Sequence, residues 1–553
     1  MKNSLNLLLE QSFKDNWDYP ALSDYKGITL NYRDVARRIE KLHIVYEILG
    51  LKKGDKISIC SRNQANWGVV FLSAITYGAV AVPILHEFKP GNIHHIVNHS
   101  ESKVFFVGDV VWEQLSESEM PNLEAVIQMN DFSILYSKSS KVRETREHLN
   151  ELFGKKYPKN FRAEHLKYYE DQPQELSMIN YTSGTTGFSK GVMIPYRALK
   201  SNVDFAKEVQ PHLNNTSNVV AMLPTAHMYG MMFEFLFEMT VGAHVHFLTR
   251  IPGPKIIMDA FSEIKPDIVV SVPLIIEKIY KKKLQPIISK TAIRVLLRLP
   301  VIDQKIEKRI KLELIKTFGG KFYEVIIGGA AFNREAELFF RKIGFPFTVG
   351  YGMTECAPII TYAPWHNTRL YSCGKVVPRM EIKIDSRDPA KIPGEILCRG
   401  ENVMLGYYKN REATDLVLTS DGWLRTGDVG VIDSDGYLYI RGRSKSMILG
   451  PSGQNIYPEE IESIINNMQY VVESLVIEEG GLLSALVYPD FEQAESDGIN
   501  ESALNKKMEE IRVAINEELP NYSKIQEIRV FPEEFEKTPK RSIKRYLYQR
   551  TDL

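Results

Sequence analysis

The chain has 553 residues, more than one hydrophobic core organises, so two or more domains are expected. Hydrophobic residues make up 44% and charged ones 25%, an ordinary globular composition. Lys+Arg and Asp+Glu stand at 69 each for a formal net charge of +0, which excludes a global field that would gather nucleic acid.

Cys60, Cys356, Cys373 and Cys398 are widely spaced, with neither metal-ligand spacing nor a secreted framework, as suits a reducing cytosol. The start, Met1 to Glu10, has too short an apolar run and an acid too early for a signal peptide, so no export is expected. From Asn31 to Leu49, apolar Tyr32, Val35, Ile39, Leu42, Val45 and Leu49 recur at steps of three and four. They predict an amphipathic helix closing at Gly50, with Asn31 and Asp34 able to cap its start. Trp67 to Leu85 carries no charge. Its Ser73, Thr76, Tyr77, Gly78 and Pro83 read as a buried helix broken at Gly78 and feeding a core strand at 79–82, rather than as a membrane span. Apolar runs at 56–60, 80–82 and 104–107, separated by helical stretches, predict a mostly parallel sheet. Between Ser116 and Asp171 the chain turns polar and charged and reads as a surface connection.

At 176–180 a strand runs into Tyr181-Thr182-Ser183-Gly184-Thr185-Thr186-Gly187-Phe188-Ser189-Lys190-Gly191-Val192. Gly184, Gly187 and Gly191 free the backbone to turn N–H groups into one concavity. The hydroxyls of Thr182, Ser183, Thr185 and Thr186, with Lys190, add donors, making an anion cradle of polyphosphate size. It is not a Walker A loop, because Gly187 is followed by Phe188-Ser189-Lys190-Gly191. The run resembles the phosphate loop of the adenylate-forming superfamily, which includes acyl-CoA synthetases, luciferases and peptide-synthetase adenylation domains. The resemblance implies a multidomain α/β fold. A large N-terminal domain, residues 1–442, would hold layered α/β subdomains and a β-subdomain; a small hinged α+β C-terminal domain would follow at 443–553.

Downstream motifs extend the resemblance. A strand at 219–223 ends in a turn presenting His227, where the superfamily places a His or aromatic that guards the carboxylate-substrate pocket. Residues 265–280 read as a buried strand and helix most similar to long-chain acyl-CoA synthetases. The segment from Lys281 to Lys316 is basic and amphipathic, which leaves a membrane surface and a solvated helical face both open. A strand at 324–327 ends in small residues, where backbone must approach something flat; the resemblance implies adenine against Gly328, Gly329 and Ala330. In Gly350-Tyr351-Gly352-Met353-Thr354-Glu355 it implies that Tyr351 stacks on the purine beside Gly352, Thr354 contacts the α-phosphate and Glu355 shares Mg²⁺ with Thr182. In the run 421–430 Asp428 would accept two ribose hydroxyls. After a hairpin turn at Asp435-Gly436, Arg443 would contact ribose and Lys445 would be the hinge. Residues 448–456 would line the thiol's tunnel, and Pro458 with Glu459 and Glu460 opens a helix.

One position departs from the superfamily. Its K-T-x-x-x-K-I-x-R pattern carries a lysine that bridges carboxylate and α-phosphate, but this chain reads Lys537-Thr538-Pro539-Lys540-Arg541-Ser542-Ile543-Lys544-Arg545, with Ser542 in that place. Three readings stay open: Lys540 or Lys544 substitutes as the catalytic cation, adenylation is slow, or catalysis is lost and binding kept. The reaction implied is activation of a fatty, long-chain acid by ATP and Mg²⁺ to acyl-adenylate, then transfer to CoA, with Glu355 and His227 at its centre. Transfer to a carrier protein's phosphopantetheine and a luciferase-like oxygenation are the rival activities. The expected compartment is the cytoplasm, with peripheral contact at the inner face of a membrane left open; the expected state is monomer or homodimer.

Overall fold

The computed structural model describes residues 4–182, 189–250, 253–280, 302–450, 454–538 and 543–548. The first predicted helix forms as Tyr32–Ile48. The Asn31 N–H donates to Asp34 Oδ2 at 3.1 Å, and Gly50 takes the left-handed turn, φ 70°, that follows its end. The uncharged stretch is core: helix Ala65–Tyr77 stops at Gly78, φ 83°, and the strand Val80–Pro83 is buried throughout. Trp67 stacks on Phe71 at 5.4 Å between ring centroids inside that core. Among the described residues no helix is long and apolar enough to cross a membrane.

An 8-stranded sheet orders Gly406–Tyr407, Lys190–Pro195, Leu176–Thr182, Val80–Pro83, Lys56–Cys60, Ser102–Val107, Ala125–Gln128 and Ile134–Ser137. From Leu176–Thr182 to Ala125–Gln128 the strands run parallel, as the alternation predicted, while both ends of the sheet are antiparallel. A 4-stranded sheet (Asn218–Ala221, His244–Phe247, Pro20–Asp24, Thr29–Asn31) is bridged in parallel, Val219 to Ile268, to a 3-stranded parallel sheet (Val269–Ser271, Val325–Ile327, Phe347–Val349). Parallel strands deliver their carboxyl ends to one side, so the turns after Thr182, Ala221, Ile327 and Val349 carry the candidate site.

An antiparallel 4-stranded sheet follows: Met380–Asp385, Gly394–Gly400, Leu424–Ile432 and Leu438–Arg443. Gly436, φ 86°, makes the predicted hairpin turn. The C-terminal unit has its own core, including Ile461, Ile465, Val476, Val487, Met508 and Ile515, between the sheet Val471–Glu479, Leu482–Pro489, Ile525–Val530 and the helices Pro458–Ile465 and Glu501–Glu518.

Residues 116–171 are not a surface connection. Ala125–Gln128 and Ile134–Ser137 extend the large sheet, and the helices Ser140–Glu147 and Leu149–Lys156 lead to an aromatic cluster in which Tyr157 and Phe161 lie 4.7 Å apart. The apolar run at 125–127 is short and flanked by polar residues, so it becomes a strand only because Ser102–Val107 offers an edge to pair with. Of the basic stretch, 281–301 lie outside the described residues, and Ile302–Thr317 is a helix.

Candidate active site

The strand Leu176–Thr182 and the strand Lys190–Pro195 pair antiparallel, with Thr182 opposite Lys190. Of the residues that join these two strands, Ser183, Gly184, Thr185, Thr186 and Gly187 lie outside the described residues. Gly191 is not in the left-handed region, contrary to the reason expected for it. A Cβ there would meet Ile179 Cγ2 at 2.8 Å and the Tyr181 ring at 3.0 Å, so close packing at the hairpin base requires the glycine.

Antiparallel pairing of Leu424–Ile432 with Leu438–Arg443 sets Asp428 directly opposite Arg443. Arg443 Nε lies 3.4 Å from Asp428 Oδ1, and the Tyr351 hydroxyl donates to Asp428 Oδ2 at 2.7 Å. Burial lifts the Asp428 carboxyl above the usual carboxylate range, while the Arg443 guanidinium and the Tyr351 hydroxyl pull it back. Arg443 itself is exposed, so the pair opens toward solvent on one side.

Glu355 follows Thr354 in a buried 3₁₀ turn. Its Oε1 accepts from the Tyr407 hydroxyl at 2.9 Å. Tyr407 sits on the short strand Gly406–Tyr407, which pairs with Lys190–Pro195, and Lys190 Nζ stands 5.0 Å over the Tyr407 ring. One tyrosine thus joins Glu355 to Lys190. The negative charge of Glu355 also reaches Asp428, which places the two acids in one electrostatic field. A carboxylate and a hydroxyl oxygen are hard donors that suit Mg²⁺. Among the described residues there is no group of three or more His, Cys, Asp or Glu that could hold a metal.

Gly328 is buried, and a Cβ there would lie 3.1 Å from the Tyr229 ring, so the missing Cβ makes room for that ring. The Tyr229 hydroxyl donates to Ile326 O at 3.1 Å. Gly329 adopts φ 89°, and with Ala330 it is exposed beyond the strand end. A Cβ on Gly352 would strike Pro358 O at 2.1 Å, so that glycine is fixed by a backbone crossing. His227 precedes the helix Met228–Met231 and its Nδ1 accepts from Tyr229 N–H at 3.3 Å.

Lys445 is exposed in the turn Ser444–Ser446 between the two units. Lys544 donates to Glu536 Oε2 at 2.9 Å within the C-terminal unit, and this bond holds its ammonium above the usual range. Lys540 and Ser542 lie outside the described residues.

The sequence reading missed Tyr407. Its contact with Glu355 arises from pairing of strands far apart in the chain, which no local pattern signals. Tyr407→Phe is expected to keep the ring under Lys190 while removing the bond to Glu355. A hydrogen bond to a charged group contributes about 1.5–3 kcal/mol, so roughly a tenfold or greater rise in the Mg²⁺ concentration giving half-maximal pyrophosphate release is expected in a magnesium titration. An unchanged midpoint would detach Tyr407 from the acid's role.

The architecture recurs in solved structures. The anthranilate CoA ligase AuaEII in complex with anthranoyl-AMP superposes with a TM-score of 0.78 at 20% identity, covering 99% of this chain and 96% of that one. ATP-bound MatB from Rhodopseudomonas palustris superposes with a TM-score of 0.76 at 21% identity, covering 100% and 99%. The fold is that of the adenylate-forming enzymes. In sequence, residues 9–408 match the AMP-binding enzymes and 445–551 their C-terminal domain, and the chain belongs to the AMP-binding enzyme family. Long-chain-fatty-acid--CoA ligase FadD15 of Mycobacterium bovis is 26% identical over 491 residues, 83% of this chain and 77% of that protein. The long-chain-fatty-acid--CoA ligase of Salmonella typhimurium is 27% identical over 485 residues, 84% and 80% respectively.

Proposed function

We propose that the protein activates a long-chain fatty acid with ATP and transfers the acyl group to CoA. The observation that carries this reading is the convergence of two linked acids, Asp428 with Tyr351 and Arg443, and Glu355 with Tyr407 and Lys190, around the segment 351–355 that follows the parallel strand Phe347–Val349. The acid's carboxylate attacks the α-phosphorus of ATP, forming acyl-adenylate and releasing pyrophosphate; the thiol of CoA then attacks the acyl carbon and AMP leaves. Asp428 accepts the ribose hydroxyls, Arg443 supports it, Tyr351 and the turn 328–330 flank the adenine, Thr354 meets the α-phosphate, and the hairpin from Thr182 through Ser183, Gly184, Thr185, Thr186 and Gly187 to Lys190 holds the outer phosphates. Glu355 and Thr182 would hold Mg²⁺, which supplies neutralisation of phosphate charge facing an incoming carboxylate. His227 borders the acid. Most of the acceleration on this reading is positioning and electrostatics.

The same pocket must serve two reactions, so we place a hinge at Lys445, about which residues 443–553 turn between the steps. The long-chain preference rests on relatives named for that substrate and on the resemblance at 265–280. Pyrophosphate release across a panel of acids, with and without CoA, tests it. The strongest signal is expected with saturated or monounsaturated long chains. Neighbouring lengths should separate poorly, since one methylene is worth only ~1–3 kcal/mol. A clear preference for aryl or amino acids would overturn the substrate, and transfer to a carrier protein in place of CoA would overturn the acceptor.

A further inference from the structure

The turn at 222–227 links the strand Asn218–Ala221 to the helix carrying Tyr229, and irregular backbone of this kind has no sheet ladder to satisfy it. Buried side chains from separate elements do so instead. Asn63 Nδ2 donates to Leu223 O at 2.6 Å, while Asn63 Oδ1 accepts from Thr225 N–H at 2.9 Å and from Thr225 Oγ1 at 3.1 Å. Glu234 Oε2 accepts from Leu223 N–H at 2.9 Å. Asn180 Nδ2 donates to Ala226 O at 3.0 Å. Asn63, Asn180, Thr225 and Glu234 are all buried, at 8%, 3%, 1% and 0% exposure, where an apolar side chain of similar volume would carry no desolvation cost.

Asn180 stands two residues before Thr182 on one strand, so both side chains project from the same face. The strand that feeds the phosphate hairpin therefore also grips the carbonyl immediately before His227. Asn63, three residues past the strand Lys56–Cys60 of the same sheet, grips the turn earlier, at Leu223 O. We infer that Asn180 and Asn63 are positioning residues that fix His227 relative to the phosphate hairpin, so that the acid's carboxylate and the nucleotide's α-phosphate are set by one buried hydrogen-bonded frame. This rests on the functional reading given above. Neither asparagine touches substrate; each acts through the turn.

The test uses the full chain and compares KM for the acid with KM for ATP. Asn180→Asp keeps the shape but turns the donor into a carboxylate facing Ala226 O. Burial lifts such a carboxyl, and once protonated it can donate again. At pH 8.5 the variant's KM for the acid is expected to rise about tenfold, the equivalent of one lost buried hydrogen bond, while KM for ATP stays within about threefold. As the pH falls toward about 6, its KM for the acid should return toward the wild-type value, a slope that the wild type lacks and that general loosening of the fold would not produce. Asn180→Leu should raise KM for the acid without any recovery at low pH. Should Asn180→Asp fail to fold, Asn63→Asp retains the acceptor for Thr225, loses the donor to Leu223 O, and is expected to show the same recoverable KM. Equal losses for ATP and acid, or pH profiles parallel to the wild type, would overturn the proposal. The comparison uses whichever acid turns over best, so a different substrate class would overturn the functional reading without altering this result.

Discussion

Asp428→Ala is expected to lower kcat/KM for ATP by roughly 10²–10⁴-fold, the cost of two hydrogen bonds from ribose hydroxyls to a charged acceptor at about 1.5–3 kcal/mol each. The substitution also strips a partner from the Tyr351 hydroxyl and from Arg443, both anchored on this carboxylate. Asp428→Asn keeps one acceptor oxygen, so an intermediate loss is expected. Burial lifts the Asp428 carboxyl, and Arg443 and Tyr351 restrain that lift. The acid limb of kcat/KM for ATP should therefore lie above the pH of an ordinary carboxylate, and Arg443→Ala should move it higher still. Stability runs the opposite way. The folded pKa exceeds the unfolded one, so ionised Asp428 costs stability at high pH, and the cost disappears as the pH falls through the folded value. Asp428→Asn should accordingly show a higher Tm than wild type at pH 8 without nucleotide, the difference shrinking on acidification. Retention of kcat/KM within tenfold in the alanine variant would remove Asp428 from the ribose.

The second large effect concerns the cation that Ser542 does not supply. If Lys540 or Lys544 takes its place, alanine at that position should reduce acyl-adenylate formation about 10²–10³-fold while leaving thioester formation from supplied acyl-adenylate and CoA intact. In a strand both neighbours of Ser542 at an offset of two share its face. Lys544 is bonded to Glu536, with the glutamate side chain 64% exposed. Solvent screens an ion pair this open, so releasing the lysine is cheap. Glu536→Ala should then speed adenylation if Lys544 is the substitute and leave it unchanged if Lys540 is. Undiminished adenylation in both lysine variants would reject a substitute lysine; ATP binding by calorimetry with no acid-dependent pyrophosphate release would mark binding alone rather than slow turnover.

Local chemistry made much of the molecule legible in advance. The helix Tyr32–Ile48 and the break at Gly78 follow from three- and four-residue apolar steps and from glycine's access to φ > 0, both of which act within a few residues. The candidate groups Asp428, Tyr351, Glu355 and Lys190 were identified because each stands in a contiguous motif. The region 116–171 was misread for the converse reason, since its strands depend on pairing with a remote edge and its helices are too short to show a strong period. Gly191 was assigned to flexibility, yet its missing Cβ makes room for Ile179 and the ring of Tyr181.

By itself the sequence determined the local elements and an anion cradle of glycines, hydroxyls and Lys190, because both depend on residues close together in the chain; the other candidate nucleotide residues came from a family resemblance carried by contiguous motifs. Only the tertiary structure decided which of them act together. Strand pairing brings Tyr407 between Glu355 and Lys190, sets Arg443 against Asp428, and hangs the His227 turn from Asn180 and Asn63. Such contacts join residues separated by long stretches of chain, and no local pattern encodes them; they exist because burying the sheets' apolar faces fixes every register at once.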